Sequence, residues 1–322
     1  MKLPRITEQN RRWWILANMT GALSMMMIDA TVVSVALPTI QEEFKASQAE
    51  VQWVMNAYLL ALAALVAVGG RLGDMYGHAR ILKIGVLIFI ASSAAAGIAQ
   101  SDSWLIGARA VEGGGAAIMI PATMAIVTNT FPANMRGKAM GIFAGISMVA
   151  LALGPLLGGV LTELVSWRAS FFINLPIGAL VIAVTYVTLR RESPNAEAKL
   201  DKLGLVTLVG GLTAVVLALM QSSTWGWGSP VTIALLGGGL LTLVLFVFIQ
   251  LRVDQPLVEL RLFKSSNFSA DVGVLGAAQF VLMGLTVFGA IWIQNVLGFD
   301  PIQAGLSPVS YTHLTLPTIL LV

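Results

Sequence analysis

The sequence contains no cysteine and only two histidines, His78 and His313. Without thiols there is no disulfide framework, no thiolate metal centre and no cysteine nucleophile. Two histidines so widely separated give no sign of a histidine-rich metal site. Charge is scarce as well. Asp, Glu, Lys and Arg make up 11% of the 322 residues, against about 25% in an ordinary soluble domain. A chain so poor in charge cannot cover itself with polar side chains in water. What it has instead is apolar bulk: 57% of residues are hydrophobic and the mean hydropathy is +0.84. Its solvent must be largely lipid. The formal net charge of +3 would by itself allow a nucleic-acid partner, but the placement of the charges argues against one.

A bilayer core takes about 20 apolar residues per helix. Such runs occur at roughly Trp13–Leu37, Val51–Gly70, Ile81–Ala99, Trp104–Val127, Ala139–Leu161, Ser170–Leu189, Leu203–Met220, Val231–Leu251 and Ala270–Leu297. The expected fold class is therefore all-α integral membrane. The separators are short and hold the turn formers and most charges, so sequential helices should be antiparallel neighbours in a bundle. The first run is too long for a signal-peptide core and lacks a small-residue cleavage site.

Lys2, Arg5, Arg11 and Arg12 precede that run, which predicts a cytoplasmic N-terminus. Alternation then places every loop. Of the 19 basic residues, all but Lys45, Arg168 and the intramembrane Arg109 fall on the inner side. They read as topology signals, and no nucleic-acid partner is expected. Trp13 and Trp14 lie at the inner interface. Trp53, Trp104, Trp167, Trp225 and Trp227 fall at outer helix ends, as an aromatic belt would.

Ionisable groups within a span are costly unless paired, and they discriminate among functions. Asp29 in the first span and Arg109 with Glu112 in the fourth stand out. Asp271 lies about one turn into the ninth span, and Glu163 near the outer end of the fifth. Arg109 and Glu112 are three apart, hence on one helix face. They form either a local ion pair or a proton-exchanging carboxyl tuned by the arginine. Asp29 has no partner at helical spacing in its own span. It must meet another helix, face water or carry a proton. The run Met25–Met27 reads as packing.

The fifth span contains Gly141/Gly145 and Gly154/Gly158, both small-xxx-small pairs that let another backbone approach. Pro155 cannot donate to the Leu151 carbonyl, and Pro121 does the same to Ala117, so bends are expected at both. The segment from Gly70 to Arg80 reads as a short loop, with Gly73 and Gly77 supplying backbone freedom. Asp74 there lies among Arg71, Arg80 and Lys83 and can accept their hydrogen bonds or those of a helix N-terminus, which suggests a latch between helices. No nucleophile–base pair, metal cluster or phosphate-binding loop argues for an enzyme.

These patterns together resemble a known family. Gly70-x-Leu72-x-Asp74-x-x-Gly77-x-x-Arg80 is similar to the cytoplasmic loop signature of the major facilitator superfamily. Gly154-Pro155-x-x-Gly158-Gly159 resembles the motif of its antiporters, and Arg109-x-x-Glu112-Gly113 the helix 4 motif associated with proton transfer. The segments Asp29 to Pro38, Trp167 to Gly178 and Asp201-x-x-Gly204 are similar to signatures of the fourteen-helix drug:proton antiporters of the EmrB/QacA type. The resemblance covers roughly residues 10–308.

The resemblance implies a major facilitator-type bundle in the cell membrane that works by alternating access. It implies export of amphipathic or cationic drugs, or other small molecules, driven by inward proton flow with no cofactor. Any periplasmic adaptor is left open. By position, Asp29, Arg109 and Glu112 would couple proton and substrate. Gly70, Arg71, Asp74, Gly77 and Arg80 would form the cytoplasmic gate loop, and Gly154, Pro155, Gly158 and Gly159 the helix bend. The implied organisation is a cytoplasmic segment (1–12), a six-helix bundle (13–189), a linker (190–202), two extra central helices (203–251) and the start of a C-terminal half (252–309). Residues 310–322, polar and interrupted by Pro317, are unlike the family and read as a non-native or frameshifted tail on a chain truncated at its C-terminus. Glu112 stands where the family usually has Gln, Met75 replaces a usual basic residue and Ser34 a usual Asn. Two other readings compete: a facilitator-fold transporter of one metabolite or siderophore, and a transport-inactive fragment.

Overall fold

The structure, a computed structural model, describes residues 7, 10–189 and 201–296. Lys2, Arg5, most of the 190–202 linker and the 310–322 tail lie outside the described residues.

The apolar runs all become helices, most of them longer than the runs themselves. They are α1 (Arg11–Phe44), α2 (Gln48–Tyr76), α3 (His78–Gly97), α4 (Asp102–Thr130), α5 (Ala133–Leu164), the single turn α6 (Ala169–Phe172), α7 (Asn174–Thr188), α8 (Lys202–Trp225), α9 (Pro230–Gln250) and α10 (Ser266–Asn295). Among the described residues, eight stretches, with α6 and α7 counted as one, are long and apolar enough to cross a membrane. No strand occurs among the described residues. The extra length comes from polar ends. At about 1.5 Å per residue, the 34 residues of α1 span about 51 Å, well beyond a hydrocarbon core of about 30 Å.

Local chemistry sets these ends. Ser47 accepts from the Glu50 amide while Glu50 reaches back to Ser47, a capping box that starts α2. Ser101 caps α4. Asp201 caps α8 through the Gly204 amide and accepts from Gln250 of α9 at 2.7 Å. A Cβ at Gly204 would collide with both, which gives the Asp201-x-x-Gly204 pattern its physical reason. The basic residues read as topology signals also serve helix ends. Arg11 Nε donates to the Thr188 carbonyl closing α7, at 2.7 Å, and Arg136 Nε to the Phe131 carbonyl closing α4.

The chain divides into residues 1–258 and 259–322. In the first unit α4 packs against α2, α3 and α1, and α1 packs against α5 and α7. Two apolar layers fill the interior. One holds Met19, Met25, Met26, Phe89, Met119 and Phe143, and the other Val33, Ala36, Ile40, Val54, Trp167 and Phe171. Met25 and Met26 are thus packing residues. Outward-facing Leu180, Val187, Leu241 and Phe248 are exposed, the arrangement expected where lipid is the solvent. The second unit contains α10, preceded by the 3-10 turn Leu260–Lys264. Asp271 on α10 is exposed.

Three expectations need correction. Trp167 is not a belt residue. It is 1% exposed, wedged edge-on between Phe44 and Phe171, and its indole N–H donates to Glu43. Glycine spacing alone does not mark a helix crossing. Cβ atoms at Gly141 and Gly145 would meet nothing within 4 Å, whereas at Gly154 and Gly158 they would strike Thr31 Oγ1 and Val32 O of α1. Finally, Gly70–Arg80 is not a loop. Residues 70–76 finish α2, residues 78–80 begin α3, and Gly77 alone, at φ 88°, makes the turn. Helical Gly73 instead clears room for the His78 ring.

A Cβ at Gly113 would press on the backbone of Tyr58 in α2. Gly113→Ala should therefore lower stability by about 1–3 kcal/mol through overpacking, while Gly141→Ala should be neutral or gain up to about 1 kcal/mol. Thermal unfolding of the two variants in detergent checks the contrast.

Candidate functional site

Between the two apolar layers lies a polar cluster sealed from solvent. Asp29, Ser93, Arg109, Glu112 and Asn174 are all 0% exposed. Arg109 Nη1 donates to Asp29 Oδ2 at 2.6 Å and to Glu112 Oε2 at 2.8 Å. Its Nε donates to the Val54 carbonyl of α2 at 3.2 Å. The guanidinium carbon stands 4.3 Å from the centre of the Tyr58 ring and 5.9 Å from that of Phe171. Asn174 Nδ2 donates to Asp29 Oδ1 and to Ser93 Oγ, each at 2.9 Å, and Ser93 Oγ donates to the Phe171 carbonyl.

Each element contributes for a local reason. Asn174 is the first residue of α7, just past the break after α6, and Pro176 follows in the first turn, where a missing N–H costs nothing. Gly113, next to Glu112, brings α4 hard against α2 at Tyr58. Gly115 does the same against Gly85 and Phe89 of α3. Two close glycine crossings thus hold the arginine's helix, α4, near the cluster. A single cation faces two carboxylates, so the cluster is electrically balanced only when one carboxyl keeps a proton. Removing such charges from water is expensive, which makes an unbalanced cluster a high-energy state.

The predicted Asp29, Arg109 and Glu112 are therefore brought together. The partner missing from Asp29's own helix comes from α4 and α7. The local Arg109–Glu112 ion pair also forms, within the same network. Gly154, Pro155, Gly158 and Gly159 lie on α5 against the Ile28–Val35 stretch of α1, beside Asp29 but outside the polar contacts. The gate-loop residues are elsewhere. Sixteen residues of α2 separate Tyr58 from Asp74, about 24 Å of helix. There Asp74 pairs with His78 at 3.6 Å in place of the expected Arg71, Arg80 and Lys83. Arg71 Nη2 donates to Gln255 Oε1 at 3.1 Å, and Lys83 stands 4.0 Å from the centre of the Tyr186 ring. Arg80 is exposed.

Sequence reasoning missed Ser93 and Tyr58. Their one signal was a hydroxyl inside an otherwise apolar run. Asn174 was quoted within a signature but given no role. No group of three or more potential metal ligands occurs among the described residues.

Comparison with known proteins sets this geometry in context. The sequence model of the Major Facilitator Superfamily matches residues 19–321. The tetracenomycin C resistance and export protein of Streptomyces glaucescens is 34% identical over 307 residues, covering 95% of this chain and 57% of that protein. The multidrug resistance protein Stp of Mycobacterium tuberculosis is 32% identical over 299 residues, covering 92% and 56%. The chain therefore spans little more than half the length of these curated relatives. Among solved structures, the proton:xylose symporter XylE bound to 6-bromo-6-deoxy-D-glucose aligns with a TM-score of 0.61 at 15% identity, over 98% of this chain and 69% of that one. That is a likeness of fold.

Arg109→Met removes the cation from between two buried carboxylates and should cost about 3–5 kcal/mol. Asp29→Asn leaves a one-to-one Arg109–Glu112 pair and should keep the parent's folded yield. The monodisperse fraction after solubilisation, with the thermal midpoint, separates the two outcomes.

Proposed function

The chain belongs to the major facilitator superfamily, and on that premise we propose that it serves a proton-coupled secondary transporter exporting amphipathic or cationic small molecules across the cell membrane. The observation that carries this reading is the solvent-free Asp29–Arg109–Glu112 cluster, in which one guanidinium bridges two carboxylates.

The exchange follows from charge balance. With one carboxyl protonated the cluster is neutral and stable away from water. When the proton leaves, the site carries a net negative charge, and a lipophilic cation reaching it restores neutrality. Proton and cation then satisfy the same excess charge and do not do so together, which is the thermodynamic core of antiport. Alternating access exposes the acid first to one side of the membrane and then to the other. Inward proton flow drives cargo outward, with no cofactor. Asp29 is the group that exchanges, Arg109 holds it, and Glu112 supplies the second carboxyl. Asn174 and Ser93 fix the orientation of Asp29. Gly70, Arg71, Asp74, Gly77 and Arg80 act at the inner gate, and Gly154 to Gly159 shape the α5 bend.

In the same reading the N-terminus is cytoplasmic. Residues 13–189 form the N-terminal half, 203–251 the two extra helices of the fourteen-helix type, and 252–309 the start of a C-terminal half. The resistance and export proteins among the relatives support a drug-like cargo.

In cells expressing the transporter, Asp29→Asn should reduce efflux of a lipophilic cationic dye to the level of empty-vector cells while membrane insertion is unchanged. Dye fluorescence after energisation, with and without a protonophore, reads this out. Efflux by the variant at the parent's rate, or parental efflux that ignores the protonophore, would contradict the proposal.

A further inference from the structure

Pro155 strands the carbonyl of Leu151, one turn earlier in α5, because proline has no N–H to give it. That oxygen is not left bare. The Thr31 hydroxyl of α1 lies 3.1 Å from Leu151 O. The same Oγ1 is 3.1 Å from Met27 O and 3.2 Å from Ile28 O in its own helix. A hydroxyl has one hydrogen, so three acceptors compete for it. Met27 O and Ile28 O sit in a continuous helix, within reach of the amides four residues on. Leu151 O has lost its helical donor, so the hydrogen gains most by pointing there. The room for this contact comes from Gly154, where a Cβ would collide with Thr31 Oγ1 and lie 3.1 Å from Ile28 O. Gly154 opens the notch, Pro155 exposes the acceptor, and Thr31 fills both.

Thr31 is two residues from Asp29. On a helix, neighbours two apart point to nearly opposite sides. Asp29 faces α4 and α7, and Thr31 faces α5. We infer that Thr31 is a positioning residue that ties the Asp29-bearing segment of α1 to α5 at Pro155 through this single hydroxyl hydrogen. With the hydrogen on Leu151 O, the Pro155 turn of α5 and the seat of Asp29 move as one body. When it swings to Met27 O, α5 can part from α1 while the hydroxyl keeps a partner. The helix pair that carries the acid thus has a two-position latch. This goes beyond the transport reading, and its test needs no transport.

The absence of cysteine makes spin labelling direct. Lys138→Cys and Glu163→Cys, both exposed on α5, straddle Pro155, and the distance between their labels reports the bend. The parent should give one narrow distance, and Thr31→Ser, which keeps the hydroxyl, should reproduce it. Thr31→Val, the same shape without the hydroxyl, should broaden or shift the distance and lower the thermal midpoint by a few degrees. Pro155→Ala returns an amide to Leu151 O, so in that background Thr31→Val should have no further effect. If Thr31→Val alone does not fold, recovery in the Pro155→Ala background supports the latch and failure to recover overturns it. A Thr31→Val distance equal to the parent's, or an equal effect of Thr31→Val with and without Pro155, also overturns it.

Discussion

One guanidinium between two carboxylates, in a place water does not reach, is the constraint around which this helical unit is organised. Arg109 cannot be satisfied by one neighbour. Its Nε takes a backbone carbonyl from α2, its Nη1 the acids of α1 and α4, and its flat face the rings of Tyr58 and Phe171. Asn174 and Ser93 then bind α7 and α3 to the same centre. Every helix that touches the cluster must arrive at a close and defined distance. This is why the crossings around it are made at glycine, with Gly113 on α2, Gly115 on α3 and Gly158 on α1. In lipid, helices gain little by merely hiding apolar surface from one another, and small residues with buried hydrogen bonds take over that task.

The two apolar layers on either side make the cluster consequential. Methionines and Phe89 close it from one direction, and Val33, Trp167 and Phe171 from the other. Low polarity strengthens every charge interaction inside and penalises any excess charge. On the proposed reading that penalty links proton to cargo. The ends of the helices are tied differently, by exposed or half-exposed contacts such as Glu43 with Arg168 and Asp74 with His78. Such contacts are cheap to break, which on the proposed reading lets the helix ends part around a fixed centre.

Much of this was legible in the sequence. Hydropathy located the spans because a bilayer demands whole apolar helices, and Asp29, Arg109 and Glu112 stood out because charge is rare there. Their meeting was not legible, since Asp29 finds partners 80 and 145 positions away and no local spacing encodes that. The Gly141/Gly145 and Gly154/Gly158 pairs look identical as strings, and only the path of α1 tells them apart. Residues 70–76 looked like a loop because they are polar and glycine-rich, but a helix leaving the hydrocarbon keeps its hydrogen bonds. Trp167 sat where a belt residue belongs, and the nearby Glu43 carboxylate and Phe44 ring drew it inward. Thr31 stood within a signature segment but had no role of its own, because a threonine in a membrane helix usually bonds its own i−4 carbonyl. It was the proline on another helix that gave it a second acceptor.

The central claim is that the buried acids exchange a hydrogen ion for cargo. It is tested most directly by adding a lipophilic cation to the purified transporter in weakly buffered detergent and following the pH with an indicator dye. The account predicts prompt proton release that saturates with ligand and vanishes when Asp29 is replaced by Asn. Ligand binding with no proton released, or the same release without the Asp29 carboxyl, would contradict it.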